Sequence, residues 1–183
     1  MNLNKTFLKG TLFMLISMLL ISAAAPLNAT TPTSDIPSFD IAISALPYSY
    51  STLDTLQGTF ASISIGNNGF TTTEGYPKLP VIRHYIDIPT GAQPQITIHS
   101  TEWTTTTLTN LNLPTEIIPV QPSQAKDAHI TPDFIYDTTV YTQTTLISTE
   151  TATIKPLGSI RGREVVLLEI YPIHFTPATG ELE

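Results

Sequence analysis

Threonine occupies 31 of the 183 positions. A β-branched hydroxyl residue at that density favours strands and solvated turns over helices. Past the first two dozen residues no segment holds a helical apolar period over twelve residues, so a helical core is excluded. Strand patterns take its place. Phe39, Ile41 and Ile43 alternate with Asp40, Ala42 and Ser44, and the alternation at 60–65 runs into the turn Gly66-Asn67-Asn68-Gly69. The run 79–88 stops at Pro89-Thr90-Gly91, and Ile96 and Ile98 alternate with Thr97 and His99 on the way to Trp103. Further strands are predicted at 140–148, 151–157 and 164–171, the last two joined by a turn at 158–162. Between Leu108 and Pro132, prolines at 114, 119, 122 and 132 each remove a ladder donor, which predicts an extended irregular connection. The expected fold is all-β, an antiparallel β-sandwich or jelly-roll-like domain.

Charge and cysteine exclude whole classes of function. The net charge is −7, and it falls to −9 without Lys5 and Lys9. That sign repels phosphate backbones, and no basic stripe offsets it, so nucleic acid is not an expected partner. With no cysteine, the chain has no disulfide, no thiolate metal site and no thiol nucleophile of its own.

The first residues read as an address. Lys5 and Lys9 precede the apolar run 11–21, broken only by Ser17 and followed by Ser22-Ala23-Ala24-Ala25. This is the pattern of a secretory signal peptide, with cleavage expected after Ala24 or Ala25. The run is too short to span a bilayer comfortably, so membrane contact is expected only in transit. The expected organisation is a signal peptide at 1–25, a flexible Thr/Pro/Ser lead-in at 26–37, and one β-domain at 38–183 that is secreted or held at the cell surface. At the other end a hairpin is expected to begin at the 176–180 turn without its second strand, so the domain reads as truncated there.

No catalytic constellation is visible. The histidines at 84, 99, 129 and 174 lack the close spacing of a metal site, and Asp133 and Asp137 do not resemble a calcium loop. There is no G-x-S-x-G elbow and no glycine-rich phosphate cradle. No catalytic residue, metal ligand or cofactor is expected. Trp103 and the scattered Tyr48, Tyr50, Tyr85, Tyr136 and Tyr141 leave one alternative open, an extracellular adhesion or carbohydrate-binding module that stacks sugars.

Two motif series carry more. The first is Gly75, Pro77, Leu79 and Pro80, then a strand ending at Pro89. The second is Arg161-Gly162, a strand, then Pro172, Pro177 and Gly180. In this order they resemble the N-terminal propeptide domain of the gingipain family of secreted cysteine peptidases, over roughly 39–183. Phe175-Thr176-Pro177 stands where that family has Tyr-Asn-Pro. The resemblance implies a β-sandwich prodomain that assists folding of a caspase-like catalytic domain in the same precursor, its partner in cis, and keeps it latent. It also implies that the catalytic His and Cys lie in another domain. Latency would come from a basic side chain placed in the specificity pocket. The loop between Pro119 and Pro132 offers one, Lys126, on a long stem suited to an acidic pocket. Arg161 and Arg163 flank a tight turn and are expected to serve the fold.

Overall fold

The computed structural model describes residues 15–24 and 160 as backbone, and 38–44, 46–123, 133–159 and 161–183 with their side chains. Strand alternation dominates. The elements are β1 (Leu15–Ala24), β2 (Asp40–Ile43), β3 (Tyr48–Thr55), β4 (Gly58–Ile65), β5 (Gly69–Phe70), β6 (Pro80–Ile88), β7 (Gln93–Glu102), β8 (Thr106–Thr107), a 3-10 turn at Thr109–Leu111, α1 (Thr138–Tyr141), β9 (Ala152–Ile160), β10 (Arg163–Ile170), β11 (Phe175–Thr176) and β12 (Glu181–Leu182).

Two sheets face each other. One has the order β2-β1-β7 and the other β5-β6-β10-β9, with every pairing antiparallel. Side chains of β2, β6, β7, β9 and β10 turn inward between them. Ile43 meets Ile82, Leu168 and Ile170, with Ile41, Ile86, Ile96, Trp103 and Ile154 packed around them. The hairpin β3-β4 is separate, and a second core forms on it. Ala61 and Ile63 there contact Leu79, Leu108, Ile117, Ile173, Phe175 and Leu182. Burial of each such leucine, isoleucine or phenylalanine side chain contributes about 1.5–3 kcal/mol. The all-β antiparallel expectation therefore holds, with two cores rather than one.

Three local expectations need correction. Residues 140–148 are not a strand: Asp137 accepts from the Thr139 backbone N–H at 3.0 Å and caps the single turn α1, after which the chain is irregular. The strand β3 was not anticipated, although Tyr48 and Tyr50 do alternate with serines and pair across to Ile65 and Ile63. The 176–180 turn does have a second strand, since β12 pairs with both β11 and β8. The 108–123 connection is irregular as expected. It is nonetheless buried at Leu108, Ile117 and Ile118, and it bridges Ala61 and Pro77.

The turn between β9 and β10 has Arg161 at φ 52° and Gly162 at φ 78°. Two consecutive left-handed residues form the tight hairpin turn whose twist matches the flanking strands. Arg161 pays a steric cost for that position, which glycine at 162 does not.

His174, 6% exposed, is enclosed near the end of the second core. Its ring lies 4.4 Å from that of Trp103, its Nε2 is 3.3 Å from the Glu150 carbonyl, and its backbone exchanges two hydrogen bonds with Glu183. Burial lowers the His174 pKa from its ordinary 6.5, while the Glu150 carbonyl and the Glu183 charge oppose that shift only in part.

Two outcomes follow from this packing. Phe175, fully buried, should cost about 3–5 kcal/mol on truncation to alanine, whereas Leu56→Ala at a 98% exposed hairpin tip should change stability by less than about 0.5 kcal/mol, as read by urea unfolding. The neutral form of His174 is favoured in the fold, so its stabilising share is complete above the unfolded pKa of about 6.5 and is lost as pH falls below it. Unfolding midpoints between pH 7.5 and 5.5 should fall more for the unmodified chain than for His174→Gln; equal slopes would remove His174 from the account.

Candidate functional site

Lys126 lies among residues 124–132, outside the described part of the chain. The two stems that lead to it are described, and they are tied together at one point. Gly75 donates its N–H to the Val120 carbonyl at 2.9 Å and accepts from the Asp137 N–H at 3.2 Å. One residue of the first motif thus holds both stems of the connection. Val120 N–H returns to the Tyr76 carbonyl and Lys78 N–H reaches the Ile118 carbonyl, with a bridge between Pro77 and Pro119. These contacts form a short ladder beyond the sheets.

Glycine is required at 75. Its φ is +80°, and a Cβ there would sit 3.2 Å from Ile135 Cγ2 and 3.3 Å from the Asp137 backbone nitrogen. The prolines on its C-terminal side, Pro77 and Pro80, keep the chain extended and remove two ladder donors.

A second tie was not legible in the sequence. The Gln121 carboxamide accepts from the Ile135 N–H at 3.0 Å and donates to the Ile135 carbonyl at 2.8 Å. A side-chain amide here takes both places that a neighbouring strand residue would take. The stem after the connection is fixed further by aromatic packing. Phe134 lies 5.7 Å from Phe60, and Tyr136 stacks on Tyr141 at 4.3 Å. The Tyr136 hydroxyl donates to Glu116, and the Tyr141 hydroxyl donates to the Ile117 carbonyl. Burial first, and then the Glu116 charge, push the Tyr136 phenol up to about 12, so it stays a neutral donor across the physiological range.

Beside these stems a cleft of about 280 Å³ opens between Thr71–Thr73, Tyr76 and the outer face of β6 and β10. Its floor holds Glu169, 5% exposed, in a run of apolar residues. Arg83 Nε reaches one carboxylate oxygen at 2.8 Å; Lys155 Nζ reaches the other at 2.5 Å, and the Tyr171 hydroxyl lies 3.3 Å from it. Burial pushes the Glu169 carboxyl up, but the hydrogen bonds and charges of Lys155 and Arg83 outweigh it and leave it below the usual carboxylate range. Arg83 also donates to the Phe70 carbonyl, joining β6 to the end of β5. A buried carboxylate is tolerable only with such partners.

The remaining motif residues are framework. Leu79 and Pro80 are buried, and the Pro89 carbonyl accepts from Ala92 to close the turn before β7. The Pro172 carbonyl accepts from the Tyr48 hydroxyl at 3.4 Å, the Pro177 carbonyl accepts from Gly180, and the Gly180 carbonyl accepts from Leu108. The two motif series meet in one core, where Leu79 contacts the cluster of Ile173 and Phe175. Trp103 is half-buried, lies against His174 and packs on the first core, a packing role rather than an open stacking face. His84 and His99 are exposed on strands, Asp137 is the helix cap, and His129 lies outside the described residues. Among the described residues no three His, Asp or Glu side chains gather as a metal site.

Comparison with known proteins gives this geometry a family. Residues 41–183 match the family model Propeptide_C25. Lys-gingipain from Porphyromonas gingivalis is 29% identical over 166 residues, as is its W83 form. The match takes in 89% of this chain and 10% of the relative, so the chain spans about a tenth of the length of these curated proteins. A solved structure on the zymogenic latency of gingipain K from Porphyromonas gingivalis superposes with a TM-score of 0.65 at 27% identity, covering 74% of this chain and 73% of that one. A complex of the RgpB pro- and mature domains from the same organism gives 0.61 at 16% identity, covering 74% and 68%, and supports the fold. The chain belongs to the Propeptide_C25 family, the propeptide domain of gingipain-type cysteine peptidases, and is not itself the catalytic domain.

Proposed function

We propose that this chain is the N-terminal propeptide of a secreted gingipain-like cysteine endopeptidase, that it holds the catalytic domain latent in cis and assists its folding, and that Lys126 is the residue presented to the specificity pocket. The observation that carries the reading is the double tie at the base of the Lys126 connection, where Gly75 and Gln121 each bind both stems or span them. An inhibitor that mimics substrate gains affinity when its loop is ordered before binding, because less conformational entropy is lost on docking. The name of the Lys-gingipain relatives agrees with a lysine in that role.

The chemistry required of the chain is limited. A lysine ammonium in an acidic pocket fills the place of a substrate's basic side chain and excludes it. The chain has no thiol nucleophile of its own, and in this reading the thiolate belongs to the domain it restrains. Export would remove residues 1–25. Because β1 pairs with β2 on one side and β7 on the other, the mature domain must then close these two strands on each other or cover their edges.

Added in trans to a gingipain-type peptidase domain, the full chain should inhibit peptide hydrolysis, and Lys126→Ala should raise the inhibition constant by tenfold or more, about 1.4 kcal/mol. Gln121→Ala should raise it by a smaller factor with Lys126 intact; an unchanged constant for Lys126→Ala would remove that residue from the mechanism. The intact mass of the exported protein should lack the first 24 or 25 residues, and a mass that retains them would refute the leader.

A further inference from the structure

The cations of this acidic chain are not spread evenly. Of the five described Lys and Arg residues, Arg83, Lys155, Arg161 and Arg163 lie along the outer face of β6, β10 and β9 or the turn that ends it. The acidic residues on the same surface are Asp87, Glu150 and Glu169, giving a net charge of about +1, whereas the rest of the described chain sets ten carboxylates against Lys78 alone. In the middle of this face Tyr85 stands 71% exposed, with Leu157 about half exposed in the bulge beside it. An exposed tyrosine that shares a hollow with Arg161 and Arg163, on a face that also carries Arg83 and Lys155, has the composition of an interface centre rather than of ordinary solvated sheet.

Position sets the occupant. At one end the face runs into the cleft lined by Thr73, Tyr76, Arg83, Lys155 and Glu169. Tyr76 and Pro77 in that cleft are the residues whose backbones bind Val120 and bridge Pro119, the stem before Lys126. At the other end a hollow is formed by Tyr85, Asp87, Arg161, Arg163 and Val165. A body that takes the Lys126 side chain into its pocket must rest against whatever surrounds those stems, and this face starts there. The described pairings leave its charges only partly used. Glu169 is satisfied by Arg83 and Lys155, Arg163 has an exposed pair with Asp87, and Arg161 forms no ion pair among the described residues.

We propose that the outer face of β6-β10-β9, from the Tyr76 cleft to Arg161, is the surface on which the peptidase domain docks, through an acidic patch that meets Lys155, Arg161 and Arg163 around a contact with Tyr85. The proposal rests on the propeptide reading and gives it a second, separate anchor. Lys126 would supply occupancy of the pocket, while the face supplies orientation and association rate. The acid-rich remainder of the chain is repelled by the same patch, which leaves one docking orientation.

The test measures binding of the full chain to the peptidase domain of its own precursor, supplied in trans with its cysteine alkylated, by titration calorimetry at two salt concentrations. Tyr85→Ala and Arg161→Glu should each weaken binding by tenfold or more with an unchanged thermal midpoint, and Arg161→Glu should flatten the salt dependence. If the unmodified chain binds and both variants bind equally well, the face is overturned and the propeptide reading stands. Failure of the unmodified chain to bind would overturn both. Folding is controlled for by the midpoint, and Arg161→Lys, which keeps the charge, should restore most of the affinity.

Discussion

The backbone of Gly75 is the joint on which the two stems of the long connection depend. Its N–H and C=O bind chain segments that lie on opposite sides of a connection, Val120 before it and Asp137 after it. That arrangement needs a backbone at φ +80° with no side chain, because the space is taken by Ile135 and Asp137. The proline-rich composition of the segments around it then becomes intelligible. Pro77 and Pro119 bridge each other where neither can contribute an N–H, and the Gln121 carboxamide supplies both a donor and an acceptor further out. A connection with little regular ladder is held at its base by a few contacts of high specificity.

Glu169 plays a comparable role on the sheet. An ionised carboxylate inside a strand that is otherwise apolar would cost several kcal/mol if left alone. Here it recruits Arg83 from the neighbouring strand on one side and Lys155 from the strand on the other, so one acid stitches β9, β10 and β6 across their outer face. The same stitch brings two cations to a surface that would otherwise share the acidic character of the chain. Structural need and charge pattern are therefore linked: the acid that must be neutralised is what makes this face basic.

The alternation of apolar and polar residues made most strands legible, since a two-residue period leaves few other folds for a threonine-rich chain. It failed where local and tertiary terms competed. Val140 and Tyr141 look like strand residues, yet Asp137 caps a helical turn there, and both side chains are buried without a ladder. Tyr48–Thr55 hides its pattern because its outer half is exposed on both faces, and only its pairing with β4 makes it a strand. His174 gave no signal at all. A lone histidine carries no mark of burial, and its enclosure comes from Trp103, Glu150 and Glu183, which are distant in sequence or unremarkable in type.

From its sequence alone this protein was already an all-β chain without a thiol nucleophile, built on two series of glycine and proline turns, with a leader pattern in front and one basic residue in its longest irregular connection. Those properties are local: they follow from side-chain period, from the φ that glycine and proline permit, and from which elements of chemistry are present. Only the tertiary structure decided that the first turn series grips both stems of that connection, that Gln121 completes the grip, and that a buried glutamate gathers the cations on the sheet beside it. Contacts between residues 14 to 86 positions apart create these features, and no local propensity encodes which distant partner will fill a hydrogen bond.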